Sequence, residues 1–378
     1  MTFDWRPPAA ELAAKACHPR SRWRQAVAET PRHLLVPRWF RLDERTDDGS
    51  GRGTWSVRAG PPERAYANVS LITQVGSLHA DHAADGDHPQ GLPASSATHP
   101  GLVVRMLRLG YLREGDAICD MGTGSGYSAA LLCHRFGDQN ITSIDIDPYL
   151  TKAAAQRLDL LGHHPAVHTI DAARELPGSF DAIVAMFSVR PCPPSWLAAL
   201  RPGGRIVFVI AGTQLVVCAD KRPDGGASGQ ADAYSAGFMH ARTSAAPDPD
   251  PDPQPAMTTG ASRTGRYPVL DVEGSWDLRS AFGLAAPGVH ASFTEQDGLK
   301  TLSLWHGDGS WASAHGHGTQ AADVRQDGPR RLWDELEDVL GQWTPQWSFP
   351  WYLARADIDP DGTIHLTATN GRQFTVGG

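Results

Sequence analysis

Three closely spaced glycines after a short apolar segment constrain this 378-residue chain more than any other feature. The segment DAICDMGTGSGY at 116–127 predicts a strand, a tight glycine turn and the start of an Ala/Leu-rich helix. Glycine adopts positive φ without a steric penalty, so the backbone can turn sharply and a ligand can approach the helix N-terminus. The pattern therefore predicts a nucleotide-type cofactor at the carboxyl end of the first strand of an α/β domain.

The glycine loop does not fit a dinucleotide. Tyr127 stands where the motif G-x-G-x-x-G requires its third glycine. Asp120, at the end of the strand, would place a carboxylate where a pyrophosphate lies, whereas it would attract the ammonium of a methionine moiety. Asp145 follows Gly126 by 19 residues, the spacing at which an acid reaches a ribose. Together with LRPGGRIV at 200–207, these residues indicate S-adenosylmethionine as the cofactor.

Residues 116–219 alternate short β-branched segments with Ala/Leu-rich ones, which is typical of a doubly wound, mainly parallel sheet. We therefore predict an α/β class I S-adenosylmethionine-dependent methyltransferase fold with a Rossmann-like sheet. The predicted strands are 117–120, 141–145, 167–170, 182–185, 205–210 and 215–218. The predicted helices are 127–136, 149–161 and 195–200.

The regions on either side of this core differ from it in composition. We predict four parts: an N-terminal helical and substrate-loop region at 1–115, the core at 116–242, a Pro/Asp-rich linker or loop at 243–266, and a C-terminal α+β substrate-binding region at 267–378. In the first part, 23–37 predicts an amphipathic helix and 43–54 a flexible loop. Prolines without donors and repelling aspartates keep the linker from packing.

The C-terminal region is β-rich and holds seven of the twelve tryptophans: Trp276, Trp305, Trp311, Trp333, Trp343, Trp347 and Trp351. Such a cluster can line a groove for a peptide, because tryptophan combines a large apolar area with one donor. It can equally fill the core of a small β-rich domain. The sequence leaves both interpretations open.

Composition excludes several classes of function. A net charge of −8 and a pI near 6.0 disfavour a nucleic-acid partner bound through phosphates. Five scattered cysteines suit reduced thiols in the cytoplasm better than a disulfide framework. No apolar run approaches the roughly 20 residues of a membrane span. We therefore expect a cytoplasmic protein that binds neither nucleic acid nor membrane.

Four segments together resemble the protein L-isoaspartate O-methyltransferase family over about residues 15–220. They are TPRHLLVP at 30–37, SSATH at 95–99, FDAIV at 180–184 and LRPGG at 200–204. The second belongs to 93–107, which predicts a polar loop running into a helix, with its hydroxyls near the cofactor. In this loop Thr98 replaces the proline of the family pattern.

The resemblance implies a role for each matching residue. Ser96 would be the catalytic residue that positions the acceptor carboxylate, next to the substrate-binding residues Ser95, Thr98 and His99. The implied cofactor-binding residues are Asp120, Gly122, Thr123, Gly124, Ser125 and Gly126 for the methionine part, Asp145 and Ile146 for the ribose, and Asp171 and Ala172 for the adenine.

Simpler roles remain open for some of these residues. Ser96 can cap the N-terminus of the following helix, and Asp171 can cap a turn. Three histidines among aspartates, His79, His82 and His88, have a spacing that fits no metal-ligand set, so we expect no metal.

About 150 residues beyond the core are not explained by a compact repair enzyme. The stretches 95–107, 145–148 and 236–242 resemble isoaspartate methyltransferase homologues that accompany lanthipeptides and graspetides. This implies methylation of an ordinary aspartate in a modified, cyclised ribosomal peptide, with S-adenosylhomocysteine as the coproduct and a succinimide leading to isoaspartate or a stable aspartimide. Repair of isoaspartyl residues in damaged proteins is the alternative. A non-catalytic cofactor-binding scaffold and a small-molecule methyltransferase are further alternatives.

Overall fold

The computed structural model describes residues 3–45, 53–58, 61–244, 257, 262–343, 351 and 353–377. Three sheets organise this part of the chain: six strands near the N-terminus, ten in the centre and five in the C-terminal region. The central sheet positions the candidate site, and the other two sheets flank it.

The N-terminal region begins with three short helices, α1 (Arg6–Ala16), α2 (Arg24–Glu29) and α3 (Arg32–Leu35). The single helix predicted for 23–37 is therefore wrong: the chain leaves the helical conformation at Thr30, where φ is −93° and ψ is 116°. The cause is Pro31, because proline disfavours the helical region for the residue before it and has no N–H to donate.

A small sheet follows these helices. Its strands are β1 (Trp39–Arg45), β2 (Gly53–Arg58), β3 (Leu71–Val75), β4 (Leu78–His79), β5 (Gln90–Gly91) and β6 (Pro93–Ala97). The order is β4-β3-β1-β2-β5, and β6 pairs with β3. The predicted loop 43–54 contains the ends of β1 and β2, and its middle, 46–52, lies outside the described residues.

The polar segment at 93–97 forms strand β6 rather than the predicted loop, and it leads into α4 (Pro100–Leu109). Ser96 pairs with Ile72 and Ala97 with Leu71. This pairing partner is distant in sequence, which explains why local composition predicts a loop. The strand gives the serine a defined position.

The central sheet contains β7 (Ile118–Met121), β8 (Ile141–Asp145), β9 (Ala166–Thr169), β10 (Phe180–Val189), β11 (Leu200–Ile210), β12 (Val216–Lys221), β13 (Ala227–Ala231), β19 (Arg355–Ile358), β20 (Ile364–Thr367) and β21 (Gln373–Val376). The order is β9-β8-β7-β10-β11-β12-β13-β19-β20-β21, parallel from β9 to β11 and antiparallel beyond. Its crossover helices are α5 (Tyr127–Phe136), α6 (Pro148–Leu160) and α7 (Pro194–Ala199). The predicted doubly wound α/β methyltransferase fold is confirmed, and each predicted core strand and helix overlaps an observed one.

Both faces of the central sheet are covered, as a parallel sheet requires. Along β10, Ile183 packs in a cluster that reaches Leu304 of the C-terminal region, whereas its neighbour Val184 packs in a cluster that includes Trp23. Successive side chains of a strand point to opposite faces. The N-terminal helices and the C-terminal region therefore share the core of the central sheet from opposite sides.

The C-terminal sheet contains β14 (Arg263–Thr264), β15 (His290–Gln296), β16 (Leu299–Trp305), β17 (Trp311–His317) and β18 (Asp323–Asp327), in the order β14-β18-β17-β16-β15. Two helices accompany it, α8 (Trp276–Ala285) and α9 (Leu332–Trp343). The last three strands of the chain leave this sheet and extend the central one from β13. This differs from the predicted division, which placed all of 267–378 in one C-terminal region.

Most of the C-terminal tryptophans fill the core. Trp305, Trp311, Trp333 and Trp351 are at most 5% exposed, which supports the core interpretation for these four. Trp276 is half-buried, and the side chains of Trp343 and Trp347 lie outside the described part of the chain. Core packing therefore accounts for Trp305, Trp311, Trp333 and Trp351.

All five cysteines, Cys17, Cys119, Cys133, Cys192 and Cys218, are buried free thiols. Across the described residues, the helices are too short or too polar for any of them to cross a membrane.

Candidate active site

The glycine loop between β7 and α5 has the backbone that only glycine adopts easily. Gly122, Gly124 and Gly126 have φ of +87°, +49° and +83°. A Cβ at Gly122 would lie 3.0 Å from Cδ1 of Phe187, and one at Gly126 would lie 3.3 Å from Cβ of Ala154. The loop therefore needs glycine for its dihedral angles and for its close packing.

The loop is held against the end of β8. The N–H groups of Gly122 and Thr123 donate to the carbonyl of Ile144 at 2.8 and 3.1 Å. The Asp145 carboxylate accepts from the N–H of Gly124 at 2.9 Å and from that of Asp147 at 3.1 Å. Burial raises the pKa of Asp145, while these hydrogen bonds oppose the shift. The two strand ends and the loop thus form one rigid unit.

A cavity of about 300 Å³ opens over this unit. This volume lies at the lower end of the range of about 300–1,000 Å³ for small-molecule sites. The cavity brings together eleven of the fourteen predicted site residues: Ser95, Ser96, Thr98, Gly122, Thr123, Gly124, Ser125, Asp145, Ile146, Asp171 and Ala172. The other three, His99, Asp120 and Gly126, do not line it.

Asp120 lies beneath the cavity rather than in its wall, which differs from the expectation of a direct cofactor contact. Its side chain is fully buried, and Oδ2 accepts from the hydroxyls of Ser128 at 3.0 Å and Ser143 at 2.8 Å. Burial raises its pKa to about 6. Ser128 lines the cavity, so this hydrogen bond connects Asp120 to the cavity wall. Sequence alone could not reveal this, because spacing does not show which way a strand-end side chain points.

Gly126 supports the loop from behind, with its N–H donating to the carbonyl of Thr123 at 2.7 Å. It precedes the first residue of α5 and packs towards α6. Its predicted role in holding the cofactor therefore becomes one of shaping the loop.

Strand β6 carries Ser96 to the rim of the glycine loop. The carbonyl oxygen of Ser96 lies 3.6 Å from the position of a Cβ on Gly124. Within the described part of the chain, no residue forms a hydrogen bond with the Ser96 hydroxyl, and this residue lines the cavity. Its hydroxyl is therefore available to a ligand, whereas that of Ser95 accepts from Thr73 at 3.1 Å.

The helix after this strand is capped by His99, not by Ser96. Nδ1 of His99 accepts from the N–H of Leu102 at 3.0 Å. Burial lowers the pKa of His99, which favours the neutral ring that such an acceptor requires. The capping role considered for Ser96 thus belongs to His99, and His99 has no place in the cavity wall.

Asp171 is placed for both of the roles that the sequence left open, a contact with the adenine and the capping of a turn. It lines the cavity, and its carboxylate also closes a turn by accepting from the N–H of Ala173 at 3.0 Å. The adjacent carbonyl of Ala172 accepts from Nε1 of Trp196 at 2.7 Å, which fixes this wall.

Sequence reasoning did not assign the segment 237–242 to the site, although it lines the cavity. It runs beside the end of β10, where Ser188 donates its N–H to Met239 and accepts from Ala241, both at 2.8 Å. Arg242 lies 3.7 Å from Asp147, with its side chain only 10% exposed. One indication of this segment was present in the sequence. The stretch 236–242 resembles the homologues that accompany modified peptides, but that resemblance implied no role for any of its residues.

The histidine and aspartate cluster at 79–88 supports the cavity rather than forming a ligand set. His79 lies 3.3 Å from the Asp147 carboxylate, and its ring packs against that of Tyr149 in a tilted arrangement with centroids 4.5 Å apart. Elsewhere in the described residues, Cys133, Asp138 and His163 place donor atoms within 4.8 Å of one another. Asp138 there accepts from His163 at 3.1 Å.

Comparisons with known proteins find similarity to one family over the segment that contains this site. Residues 81–239 match the family model "Protein-L-isoaspartate(D-aspartate) O-methyltransferase (PCMT)". The chain is 35% identical over 134 residues to protein-L-isoaspartate O-methyltransferase 1 of Nitrosospira multiformis, covering 34% of this chain and 56% of that protein. It is 29% identical over 152 residues to the protein-L-isoaspartate O-methyltransferase of Ignicoccus hospitalis, covering 38% and 72%.

A solved structure of a protein-L-isoaspartate O-methyltransferase aligns over 99% of both chains with a TM-score of 0.48 and 15% identity. The chain spans just over half the length of the Nitrosospira relative, and 139 residues follow the part that matches the family model.

Proposed function

We propose that the protein is an S-adenosylmethionine-dependent carboxyl O-methyltransferase that acts on isoaspartyl residues in peptides or proteins, because residues 81–239 match the protein-L-isoaspartate(D-aspartate) O-methyltransferase family model. The observation that carries this proposal is the single cavity in which Ser96, the glycine loop and Asp145 meet. All of these residues lie inside the segment that matches the family.

The cavity fits the proposed cofactor. Gly122 permits no side chain on the cavity side, because a Cβ would lie 3.0 Å from Phe187, so a ligand there meets backbone. We assign the methionine part to 122–125, the ribose to Asp145 and the adenine to Asp171, each of which lines the cavity. When bound, S-adenosylmethionine supplies a methyl group on a positively charged sulfur.

The residues of the protein contribute to methyl transfer mainly by positioning the acceptor and by interacting with its charge. A carboxylate acceptor is already an anion, so its attack on a methyl carbon requires no proton transfer, and orientation accounts for most of the rate gain. The free hydroxyl of Ser96 and that of Thr98 lie on the cavity wall and can donate to an acceptor carboxylate. The half-buried setting removes water from that carboxylate, which strengthens these contacts.

A more specific hypothesis is that the methyl acceptor is an ordinary aspartate in a modified, cyclised ribosomal peptide. Its methyl ester would close to a succinimide, which leads to isoaspartate or a stable aspartimide. The family match and the named relatives favour the isoaspartyl acceptor. The observation that supports the modified peptide is the C-terminal sheet, which lies beyond the family match and packs on the core next to the cavity. A preorganised cyclic peptide loses less entropy on binding than a linear one.

Mass spectrometry after incubation with S-adenosylmethionine tests both hypotheses, the isoaspartyl acceptor and the aspartate of a cyclised peptide. We expect a methyl ester on a synthetic isoaspartyl peptide and none on its aspartyl counterpart. Ser96→Ala should reduce kcat/KM by about 10-fold to 100-fold, the loss expected for a hydrogen bond to a charged group. Ser228→Ala, a half-buried serine in β13 away from the cavity, is the matched control.

Esterification of a cyclised peptide's aspartate alone would support the modified-peptide hypothesis and overturn the isoaspartyl one. Transfer to neither peptide, with S-adenosylhomocysteine still bound, would contradict carboxyl methylation altogether.

A further inference from the structure

A second, larger cavity lies next to the cofactor cavity, towards the C-terminal region. Its volume is about 1250 Å³, and its walls include the end of β10, helix α8 and strand β15. Six residues line both cavities: Ala173, Val189, Pro193, His240, Ala241 and Arg242. The two cavities are therefore adjacent, and we call the larger one the β15 groove.

The β15 groove runs along the open edge of a strand. Among the described strands, β15 is the last of its sheet and pairs only with β16. Five consecutive residues of β15, 290–294, line the groove. Because successive side chains point to opposite faces, a space that borders five successive residues is expected where it follows the backbone edge. Such an edge presents N–H and C=O groups that another strand can pair with.

The charged groups in the groove are mainly cationic. Among the described residues that line it, there are three arginines, Arg190, Arg242 and Arg279, and one acid, Glu273. Within the described chain, no carboxylate forms an ion pair with Arg190 or Arg279. Arg190 is instead fixed by the carbonyl of Gly283 at 2.9 Å.

The acid of β15, Glu295, is exposed but does not line the groove. An acidic ligand would therefore meet little repulsion there.

We propose that the acceptor peptide binds as an added strand on the edge of β15 with which no described strand pairs, with its reactive carboxylate reaching the cofactor cavity past Arg242. The assignment rests on the proposed carboxyl methyltransferase function and specifies where that enzyme holds its substrate. Strand addition takes its affinity from main-chain hydrogen bonds and its selectivity from alternate side chains. Arg279 and Arg190 then select acidic residues that flank the acceptor.

This surface is absent from the segment that matches the family. β15 and α8 lie after residue 239, where that match ends. A seven-residue strand at about 3.4 Å per residue offers roughly 24 Å of edge. The C-terminal region therefore favours an extended acidic peptide over an isolated isoaspartyl residue.

Amide hydrogen exchange of the full-length protein tests the binding mode directly. The probe is a synthetic linear dodecapeptide with a central L-isoaspartate and glutamates on both sides, added with S-adenosylhomocysteine. Exchange at 290–296 should slow at least about tenfold, because the outward N–H groups gain partners. If the enzyme methylates the peptide but exchange at β15 does not change, the peptide does not bind along β15. That result would overturn the binding mode and leave the proposed function standing. Slowed exchange without methyl transfer would overturn the function and keep the groove.

A charge reversal supplies the second measurement. Arg279→Glu should raise KM for the dodecapeptide about tenfold at low salt, since it repels the flanking glutamates. Arg325→Glu, an exposed arginine in β18 that lines neither cavity, is the matched control. Equal effects of both reversals would contradict the proposal.

Discussion

The guanidinium of Arg32 donates a hydrogen bond of 3.1 Å to the carbonyl oxygen of Ala97, a residue 65 positions later in the chain. It also donates to Thr98 at 3.3 Å and to Ala65, and its side chain is fully buried. Burial lowers its pKa only to about 10, so the group stays charged at neutral pH. An arginine in the N-terminal helices thus holds the strand that presents Ser96.

Replacing this arginine should loosen the strand and weaken the fold. We expect Arg32→Leu to lower the free energy of unfolding by roughly 1.5–3 kcal/mol, the range for hydrogen bonds to a charged group. Urea denaturation measures the loss. Arg20→Leu, at an exposed position, should stay within about 0.5 kcal/mol. If both variants unfold at the same urea concentration, Arg32 does not hold β6.

The glycine loop should not tolerate a side chain at Gly122. Gly122→Ala combines a φ of +87° with a contact of 3.0 Å to Phe187, so both stability and cofactor affinity should fall. The stability loss should be at least about 1 kcal/mol. Gly203→Ala is the control for dihedral strain, because its φ is +73° with nothing within 4 Å. Calorimetric binding of S-adenosylhomocysteine should be lost only in the first variant; retained binding would contradict the assignment of the loop.

Asp145 is expected to contribute directly to cofactor binding. Asp145→Asn keeps the shape of the side chain but loses its charge, so the Kd for S-adenosylhomocysteine should rise about 10-fold to 100-fold. Asp327→Asn is a matched control, because Asp327 also accepts a backbone N–H, that of Gly328, at 2.8 Å far from the cavity. Equal affinities of the two variants would count against a ribose contact.

The buried carboxyl of Asp120 should make stability depend on pH in an unusual direction. Its pKa is about 6 in the folded state, above the ordinary value of 3.8, so between these values the folded protein binds more protons than the unfolded chain. The contribution of Asp120 to stability therefore becomes less favourable as pH rises from about 4 to 6. The free energy of unfolding of Asp120→Asn, taken relative to that of the wild type, should therefore increase by roughly 1–2 kcal/mol from pH 5 to pH 7.5.

Urea unfolding of the cofactor-free protein at the two pH values measures this difference. A difference between variant and wild type that does not change with pH would show that Asp120 titrates normally.

The sequence predicts the central sheet well because its signals are local. The glycine spacing and the apolar segments at 117–120 and 141–145 each define one strand or turn, and the structure places them there. Eleven of fourteen predicted site residues line one cavity, since parallel strands end at one edge.

The structure differs from the sequence prediction mainly where contacts between residues far apart in the chain determine the conformation. The hydrogen bond of Asp120 with Ser143 and the pairing of β6 with β3 depend on neighbours that are remote in sequence. The same holds for Arg242, whose partner Asp147 lies 95 residues earlier. Composition and periodicity carry no information about such partners.

The pairing of β13 with β19 has a consequence for synthesis on the ribosome. Gln230 pairs with Arg355, so 125 residues must be translated after the first strand before its partner emerges. At about 5–20 residues per second, the edge of β13 waits roughly 6–25 seconds for its partner. The nascent chain thus completes its glycine loop and cofactor strands well before it can close the sheet, and chaperones have that interval in which to shield the open edge.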